Sequence, residues 1–288
     1  MKEEVTLAKP TLYLVATPIG NLEDITLRAL RVLKEVDVIA CEDTRQTQKL
    51  LNHYAITTRT TSYHEHNEMT KSAELVKEMQ EGASVALVTD AGMPGISDPG
   101  YRLITLAIRH QVPVVPVPGA SAFLAALVAS GLPTDSFRFS GFLPVKRGER
   151  RTALEAIKTS PRTQVSYEAP HRIVQSLEDV VEVLGASRHV VVAREVTKIH
   201  EEFLRGSASQ VLENLRKREI VKGEITLLIG KAEDEHAQAA AGSRQTVRQR
   251  VQQIMASENI DEKAALKRVA KERGVSKSEA YREMLRDK

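Results

Sequence analysis

Short runs of β-branched and apolar residues alternate along the chain with segments of helical periodicity, and this alternation constrains the fold most. The apolar runs of the first set lie at 11–17, 36–40, 84–89 and 112–117. Helical patterns lie around Leu27, Leu30 and Leu33 and at 70–81 and 101–110. Strands that alternate with helices predict an α/β layered fold with a largely parallel sheet.

A second set of similar size follows. It has predicted strands at 137–142, 163–168, 189–196 and 224–230, and predicted helices at 120–130, 148–158, 171–184 and 207–218. The break between the two sets lies near Pro116, Pro118 and Gly119. We therefore predict two α/β domains, at 1–117 and 118–230.

The C-terminal residues differ in composition from these two domains. Residues 231–243 are polar and Ala-rich, as in a linker. Residues 244–288 carry 12 Lys and Arg against 7 Asp and Glu, whereas residues 1–230 carry 28 of each. Two helical patterns, a turn at Gly274 and an N-cap at Ser276 fit a helix-turn-helix or a plain helical hairpin. The positive charge would attract a polyanion such as RNA.

Composition and the absence of some motifs exclude several classes. The single Cys rules out a disulfide framework and a Cys-based zinc finger. The segment MKEEVTLAKP has no apolar h-region, and no apolar run approaches membrane-spanning length, so we expect a soluble cytoplasmic protein. G-x-G-x-x-G, the P-loop and G-x-S-x-G are all absent, which disfavours dinucleotide, P-loop and serine-hydrolase enzymes.

Two loops that follow predicted strands carry the strongest binding signals, because open α/β sheets bind ligands beyond the carboxyl ends of their strands. The loop DAGMPGISDPG (90–100) combines three glycines with two prolines and is bracketed by Asp90 and Asp98. Such a loop presents backbone groups in a fixed array. In the loop PGASA (118–122), Ser121 starts a helix, where it could be an N-cap or could lie beside a bound carboxylate.

The remaining polar loops give weaker signals. Glu42, Asp43 and Arg45 could form a structural ion-pair group or could line a cleft. The segment SYHEHNE (62–68) does not match H-E-x-x-H, so we expect surface histidines and no metal site. We expect Cys41, at a strand end, to be a small buried thiol.

Several sequence blocks together carry a family resemblance. They are VATPIGNLEDITLRAL, CEDTR, HEHNE, ALVTDAGMPGISDPG, VPGASA, SGFLPVKRGER, YEAPHRI, AREVTKIHEE and KGEITLLI. Their order resembles that of the small-subunit ribosomal RNA methyltransferase I family. This family is a branch of the tetrapyrrole methylase superfamily, the class III S-adenosylmethionine-dependent methyltransferases. The likeness spans residues 11–230 nearly throughout, and Thr89 stands where the family often has Ser.

The resemblance implies a fold, an activity and partners. It implies two α/β domains of tetrapyrrole-methylase type with a cofactor cleft between them, plus a small helical C-terminal domain. The implied reaction is 2′-O-methylation of a cytidine ribose in the decoding centre of 16S rRNA. S-adenosyl-L-methionine would be the donor, free 16S rRNA or the 30S subunit the substrate, and the protein a homodimer.

The resemblance also implies site residues. The expected cofactor contacts are Asp90, Ala91, Gly92, Pro94, Gly95, Ser97, Pro118, Gly119, Ser121, Ala122, Phe142, Pro144, Tyr167, Glu168, Gly223 and Glu224. Phosphate contacts are expected from an exposed basic stretch and from cations near strand ends, namely Lys146, Arg147, Arg150, Arg151, Arg172, Arg194 and Lys198. Candidates for a general base, unranked, are Glu42, Asp43, Glu168, His171 and Glu195.

Two other functions fit parts of the sequence. The other branch of the superfamily methylates carbons of tetrapyrrole intermediates with the same cofactor, although the basic C-terminal residues argue against a small-molecule substrate. The helix-turn-helix-like segment would suit a DNA-binding regulator. The long glycine-rich loops of a large two-domain body favour an enzyme.

Overall fold

The computed structural model describes residues 10–232, 247–258, 260–272 and 275–286. Residues up to Ala232 belong to one compact unit and those from Glu233 to a second. Most of the predicted linker 231–243 and the predicted turn residue Gly274 lie outside the described residues. The division of the first unit at residue 117 stays a prediction.

The first unit contains two five-stranded sheets. The first sheet has the order β3-β2-β4-β1-β5 and is parallel throughout. Its strands are β1 (Thr11–Val15), β2 (Val38–Cys41), β3 (Thr60–Ser62), β4 (Ser84–Val88) and β5 (Val114–Val117). Its helices are α1 (Leu27–Glu35), α2 (Thr44–His53), α3 (Glu68–Gln80) and α4 (Tyr101–Arg109). Apolar clusters cover both faces of this sheet, as buried parallel strands require. The predicted parallel α/β layering is confirmed.

The second sheet has the order β6-β7-β10-β8-β9 and is mixed, because only the β6–β7 pair is parallel. Its strands are β6 (Phe137–Phe142), β7 (Thr163–Glu168), β8 (His189–Arg194), β9 (Glu202–Ser207) and β10 (Ile225–Ile229). Its helices are α5 (Ala122–Ser130), α6 (Arg147–Glu155), α7 (Ile173–Leu184) and α8 (Ala208–Arg216). Helix α5 packs on one face, whereas α7 and α8 cover the other.

The second unit is a three-helix cluster. It consists of α9 (Val247–Glu258), α10 (Glu262–Glu272) and α11 (Lys277–Arg286). Val251, Leu266 and Val269 are buried among these helices. The Ser276 hydroxyl accepts from the Glu279 N–H at 3.2 Å, and the Glu279 carboxylate accepts from the Ser276 N–H at 2.9 Å. This capping box confirms the predicted N-cap.

Helix α2 and the strands β3 and β9 were not predicted from the sequence, and several predicted strands are shorter in the structure. Helix α2 begins within 41–47 and β3 ends at the start of 62–68, two segments that were interpreted as polar loops, and no element was predicted where β9 lies. Strand β8 ends at Arg194 instead of 196, because Glu195 and Thr197 have positive φ angles of 53° and 70° that no strand residue adopts. The chain then returns antiparallel as β9.

In the basic stretch at the start of α6, the sequence prediction is wrong for one cation. Arg150 was expected to be exposed for phosphate contact, but its side chain is only 2% exposed. Its guanidinium donates to the buried carboxylate of Asp179 on α7, with N–O distances of 2.7 and 2.8 Å. A further bond reaches the carbonyl of Val145 at 3.2 Å. Arg150 therefore joins α6 to α7 and cannot reach RNA.

Replacing Arg150 should destabilise the fold strongly, whereas replacing its neighbour should not. We expect Arg150→Met to lower the free energy of unfolding by about 3 kcal/mol, because the buried Asp179 carboxylate then keeps only Arg147, which is largely exposed, as its ion-pair partner. Arg151→Met, which removes an exposed pair with Glu182, is the matched control and should leave stability nearly unchanged. Urea unfolding measures both. Equal effects would contradict the structural role of Arg150.

Candidate functional site

A cavity of about 650 Å³ lies between the carboxyl edge of the first sheet and the second sheet. Loops that follow β1, β4 and β5 supply one wall, and segments at the ends of β7, β8 and β10 supply the other. Ten of the predicted cofactor residues line it: Ala91, Gly92, Ser97, Ser121, Ala122, Phe142, Tyr167, Glu168, Gly223 and Glu224. The volume falls within the range of small-molecule sites.

The loop 90–100 is fixed to the end of β1 by a pair of backbone hydrogen bonds. The N–H of Thr17 donates to the carbonyl of Gly92 at 2.9 Å, and the reverse bond measures 3.0 Å. The Thr17 hydroxyl donates to the Thr89 carbonyl at 3.1 Å. Gly92 has φ 83°, which a side chain would strain. The loop is thus held rigidly with its backbone at the cavity wall.

Six predicted cofactor residues do not line this cavity: Asp90, Pro94, Gly95, Pro118, Gly119 and Pro144. The Asp90 carboxylate instead accepts a hydrogen bond from the N–H of Asp43 at 3.2 Å. A Cβ on Gly119 would lie 2.9 Å from the Cβ of Ala16, so this glycine lets the loop 118–122 pack against the end of β1. These contacts shape the loops that form the wall.

The cavity carries an acidic group that suits a cation. Asp98 lines the wall, and its carboxylate has no hydrogen bond or ion pair within the described residues. Burial, and then the neighbouring carboxylates of Glu42 and Asp90, raise the pKa of Asp98 to about 7. A positively charged ligand beside Asp98 would offset the repulsion from these carboxylates, and it would therefore favour the ionised form of Asp98.

The rest of the lining fits the cofactor that the resemblance implies. Ile19, Met93, Ile96 and Val196 are apolar, and the rings of Phe142 and Tyr167 lie 5.5 Å apart at the wall. S-adenosylmethionine combines a flat adenine ring with a sulfonium cation. An apolar wall beside an unpaired carboxylate matches both parts, so the residues present fit this group.

Some lining residues were missed by sequence reasoning. They are Ile19, Met93, Ile96, Asp98, Ala169, Pro170, Ala193, Val196, Ile225 and Thr226. Most lie within two positions of a predicted contact, and Asp98 had been noted at the end of the glycine-rich loop. The sequence identified the loops that line the cavity. It could not show which residues of each loop face the cavity, because that depends on backbone angles such as φ 62° at Ser97.

The five candidate bases are not equivalent in the structure. Glu168 is buried and paired with Arg172, and Glu195 is paired with Lys198 at 3.0 Å. Asp43 caps α2 through the N–H of Arg45. Glu42 and His171 lie outside the cavity lining, and His171 is exposed. Of the five, only Glu168 and Glu195 line the cavity, and each is paired with a cation.

The residues predicted to contact phosphate also differ in their exposure and in their ion-pair partners. Lys146 lies exposed at the surface beside Glu149, and Arg147 and Arg151 share Glu182. Arg194 is bound to Glu202, and Arg172 is largely buried against Glu168. Lys198 lies at the cavity, whereas the other cations lie outside its lining. Their contact with RNA stays a prediction.

Two further sequence expectations concern side chains outside the cavity. Cys41 is a fully buried free thiol, and burial raises its pKa, as expected for an inert core cysteine. The rings of His64 and His66 lie 5.8 Å apart. Across the described ranges, no three His, Cys, Asp or Glu side chains are placed to hold a metal ion. Within the same ranges, no helix is long and apolar enough to cross a membrane.

The second unit has a groove of its own. A cavity of about 530 Å³ between α10 and α11 is lined by Glu262, Lys263, Leu266, Lys277, Ser278, Tyr281 and Arg282. Among the described residues of this unit, Lys263, Lys277 and Arg282 form no ion pair. The Tyr281 ring is half exposed beside them. The groove thus combines unpaired cations with an aromatic face.

Comparisons with known proteins show which family the chain belongs to. The family Tetrapyrrole (Corrin/Porphyrin) Methylases matches residues 11–212. A protein of Halalkalibacterium halodurans named ribosomal RNA small subunit methyltransferase I is 50% identical over 95% of this chain and 94% of its own. Its namesake in Escherichia coli O157:H7 is 49% identical over 80% of this chain and 82% of its own.

Solved structures share the fold at lower identity. The crystal structure of uroporphyrin-III C-methyltransferase from Thermus thermophilus, complexed with S-adenosylhomocysteine, has a TM-score of 0.53 and 22% identity. The match covers 76% of this chain and 96% of that one. The family match, the close relatives and the cavity at the carboxyl edge lead to one assignment: the chain belongs to the tetrapyrrole methylases and, within them, to the ribosomal RNA small subunit methyltransferase I family.

Proposed function

We propose that this S-adenosylmethionine-dependent methyltransferase modifies the ribose 2′-oxygen of a cytidine in the decoding centre of 16S rRNA. The observation that carries the proposal is the cavity at the carboxyl edge, which places an unpaired carboxylate and an apolar wall together. Relatives at 49–50% identity named for small-subunit ribosomal RNA support the class of substrate. The homodimer and the cytoplasmic location that the sequence suggests are part of the same proposal.

The chain's own residues supply binding and orientation. When bound, S-adenosylmethionine would supply an electrophilic methyl group on its sulfonium for transfer to the ribose 2′-oxygen. Asp98 stabilises positive charge in the cavity, and Phe142 and Tyr167 provide the apolar wall. The rigid loop 90–100 holds this arrangement before substrate arrives, which is where most of the rate enhancement would originate.

The groove of the second unit is the proposed contact with RNA. Lys263, Lys277 and Arg282 offer three cations to phosphates, and Tyr281 offers a ring on which an unpaired base could stack. In the first unit, by contrast, Arg147, Arg151 and Arg172 are already paired with carboxylates. Lys146 would add a further phosphate contact from the surface of that unit.

Two other functions are alternatives that the methylation assay described below would distinguish. A tetrapyrrole C-methyltransferase would use the same cavity for a small molecule, and uroporphyrin methyltransferases share the fold. A DNA-binding regulator would need only the second unit. The cavity of the first unit and the named relatives favour an enzyme that acts on RNA.

The direct test of the proposed function uses 30S subunits that lack ribose methylation. With labelled S-adenosylmethionine, we expect one 2′-O-methylcytidine in the decoding centre of 16S rRNA, located by nuclease digestion and mass spectrometry. Free 16S rRNA and a uroporphyrinogen serve as parallel substrates. Label in the tetrapyrrole, with none in RNA, would overturn the substrate assignment and leave the family intact.

A second prediction concerns the pH dependence of cofactor binding. Because the pKa of Asp98 is about 7 in the free protein, the carboxylate loses its charge as the pH falls through 7. We therefore expect the affinity for S-adenosylmethionine to fall about tenfold between pH 8 and pH 6. Calorimetry should show Asp98→Asn to bind about tenfold more weakly at pH 8 and with a flatter profile.

The control for this prediction is Asp135→Asn, which removes a carboxylate from an exposed position away from the cavity. It should keep both the affinity and the pH profile of the wild type. An Asp98→Asn variant with the full wild-type pH dependence would show that another group titrates.

A third prediction tests the groove in the full-length chain. Lys277→Glu combined with Arg282→Glu should raise KM for 30S subunits about tenfold or more, because two phosphate contacts become repulsive. The affinity for S-adenosylmethionine should stay at the wild-type value. Arg162→Glu combined with Lys217→Glu, at two exposed positions outside the groove, is the charge-matched control. An unchanged KM in the double variant would remove the groove from the RNA interface.

A further inference from the structure

A second cavity of about 420 Å³ adjoins the first, and Lys198 lines both. The other residues that line the second cavity are Gly20, Asn21, Leu22, Glu23, His53, Thr197 and Ile199. A methyl acceptor must reach the cofactor from a neighbouring space. The side chain that stands between the two cavities is therefore placed where the reacting groups would meet.

Lys198 is held in this position by two carboxylates. Its ammonium lies 3.0 Å from Glu195 and 3.1 Å from Glu224, and Glu195 also accepts from the N–H of Glu224 at 2.9 Å. Burial alone would lower the pKa of Lys198, but its bonds to the two carboxylates raise it overall. The side chain is thus a fixed ammonium group, a hydrogen-bond donor and no base.

Two glycines make room for the ion pair between Lys198 and Glu195. A Cβ on Gly20 would lie 2.3 Å from the Cγ of Lys198, so no other residue at position 20 leaves space for the lysine stem. A Cβ on Gly223 would lie 2.4 Å from the Cγ of Glu195. One glycine comes from the loop after β1 and the other from the segment before β10. Both walls are therefore shaped around the Lys198–Glu195 pair.

The backbone that carries the pair is strained and leaves a polar atom unsatisfied. Glu195 and Thr197 have φ angles of 53° and 70°, a conformation that side chains disfavour and that clusters at functional sites. The buried Thr197 hydroxyl, at the wall of the second cavity, has no hydrogen-bond partner among the described residues. Ile199 beside it is 98% exposed. A ligand in this cavity would satisfy the hydroxyl and cover the apolar side chain.

We propose that the second cavity receives the acceptor nucleotide and that the Lys198 ammonium donates a hydrogen bond to the ribose hydroxyl that becomes methylated. The inference rests on the proposed function, because it requires an RNA acceptor. Glu195 and Glu224 then act as positioning residues that aim the ammonium, and Thr197 bonds the nucleotide. The chemical class of ligand is a single nucleotide whose ribose faces the first cavity.

The test separates this role from simple support of the fold. Lys198→Met should lower kcat for 30S subunits about 10²-fold, since misplacing the acceptor by about 1 Å has that effect. Its affinity for S-adenosylmethionine, measured by calorimetry, should stay within about threefold of wild type, and its melting temperature should be little changed. Lys198→Arg should recover part of kcat because it keeps a donor. Lys222→Met, an exposed lysine outside both cavities, is the control.

A double-mutant cycle tests the role of Gly20. Gly20→Ala should lower kcat as Lys198→Ala does, because its Cβ displaces the lysine stem. Combined with Lys198→Ala, it should have little further effect. Gly82→Ala is the control for backbone strain, because Gly82 has φ 105° and no atom within 4 Å of an added Cβ. Additive losses from Gly20→Ala and Lys198→Ala would show that position 20 acts independently of the lysine.

The outcomes distinguish the two proposals. A wild-type protein that leaves ribosomal RNA unmodified overturns the proposed function and this inference with it. A wild-type protein that methylates the RNA, together with a Lys198→Met variant of wild-type kcat, overturns the inference alone. A Lys198→Met variant that loses kcat, cofactor affinity and thermal stability together would assign Lys198 to the fold and also overturn the inference.

Discussion

The carboxyl ends of the parallel strands share one edge of the first sheet, and the site depends on this geometric constraint. The loops after β1, β4 and β5 leave the sheet at that edge and all reach the same cavity. The two hydrogen bonds between Thr17 and Gly92 then fix the glycine-rich loop against the end of β1. The second sheet closes the cavity from the other side, with segments from β7, β8 and β10. The cavity is therefore built from at least six separate parts of the chain.

The distribution of charges explains how this scaffold can serve a cationic cofactor and an anionic substrate. At the first cavity the carboxylate of Asp98 is repelled by those of Glu42 and Asp90, which lie outside the lining, and this repulsion favours a bound cation. At its border the ammonium of Lys198 is balanced by two carboxylates. In the second unit, Lys263, Lys277 and Arg282 line a groove and form no ion pair with its described residues. Each charge is placed where the proposed ligand has the opposite sign.

Much of the fold and part of the site could be predicted from the sequence, for physical reasons that differ by element. The buried strands β1, β4 and β10 are short runs rich in apolar and β-branched residues, and their short length together with that content identifies them as strands. The loop 90–100 was found because glycine and proline concentrate in it. Strand β9 was not found, because its residues are half-buried and lack an apolar run.

Long-range side-chain partners could not be predicted. Arg150 looked like its exposed neighbours, since its partner Asp179 lies on another helix and no local pattern reveals the pair. Lys198 was expected among RNA contacts and Glu195 among candidate bases, but their pairing and their enclosure by Gly20 and Gly223 appear only in three dimensions. Asp98 lay in a predicted binding loop, yet its unpaired state depends on the burial of that loop.

The most direct test of the account is a crystal structure of the protein with S-adenosylhomocysteine and a short RNA that carries the target cytidine. We predict that the thioether sulfur lies in the first cavity and the cytidine in the second, with the ribose 2′-oxygen within hydrogen-bonding distance of the Lys198 ammonium. A cytidine bound elsewhere, or a sulfur atom directed away from Lys198, would contradict it.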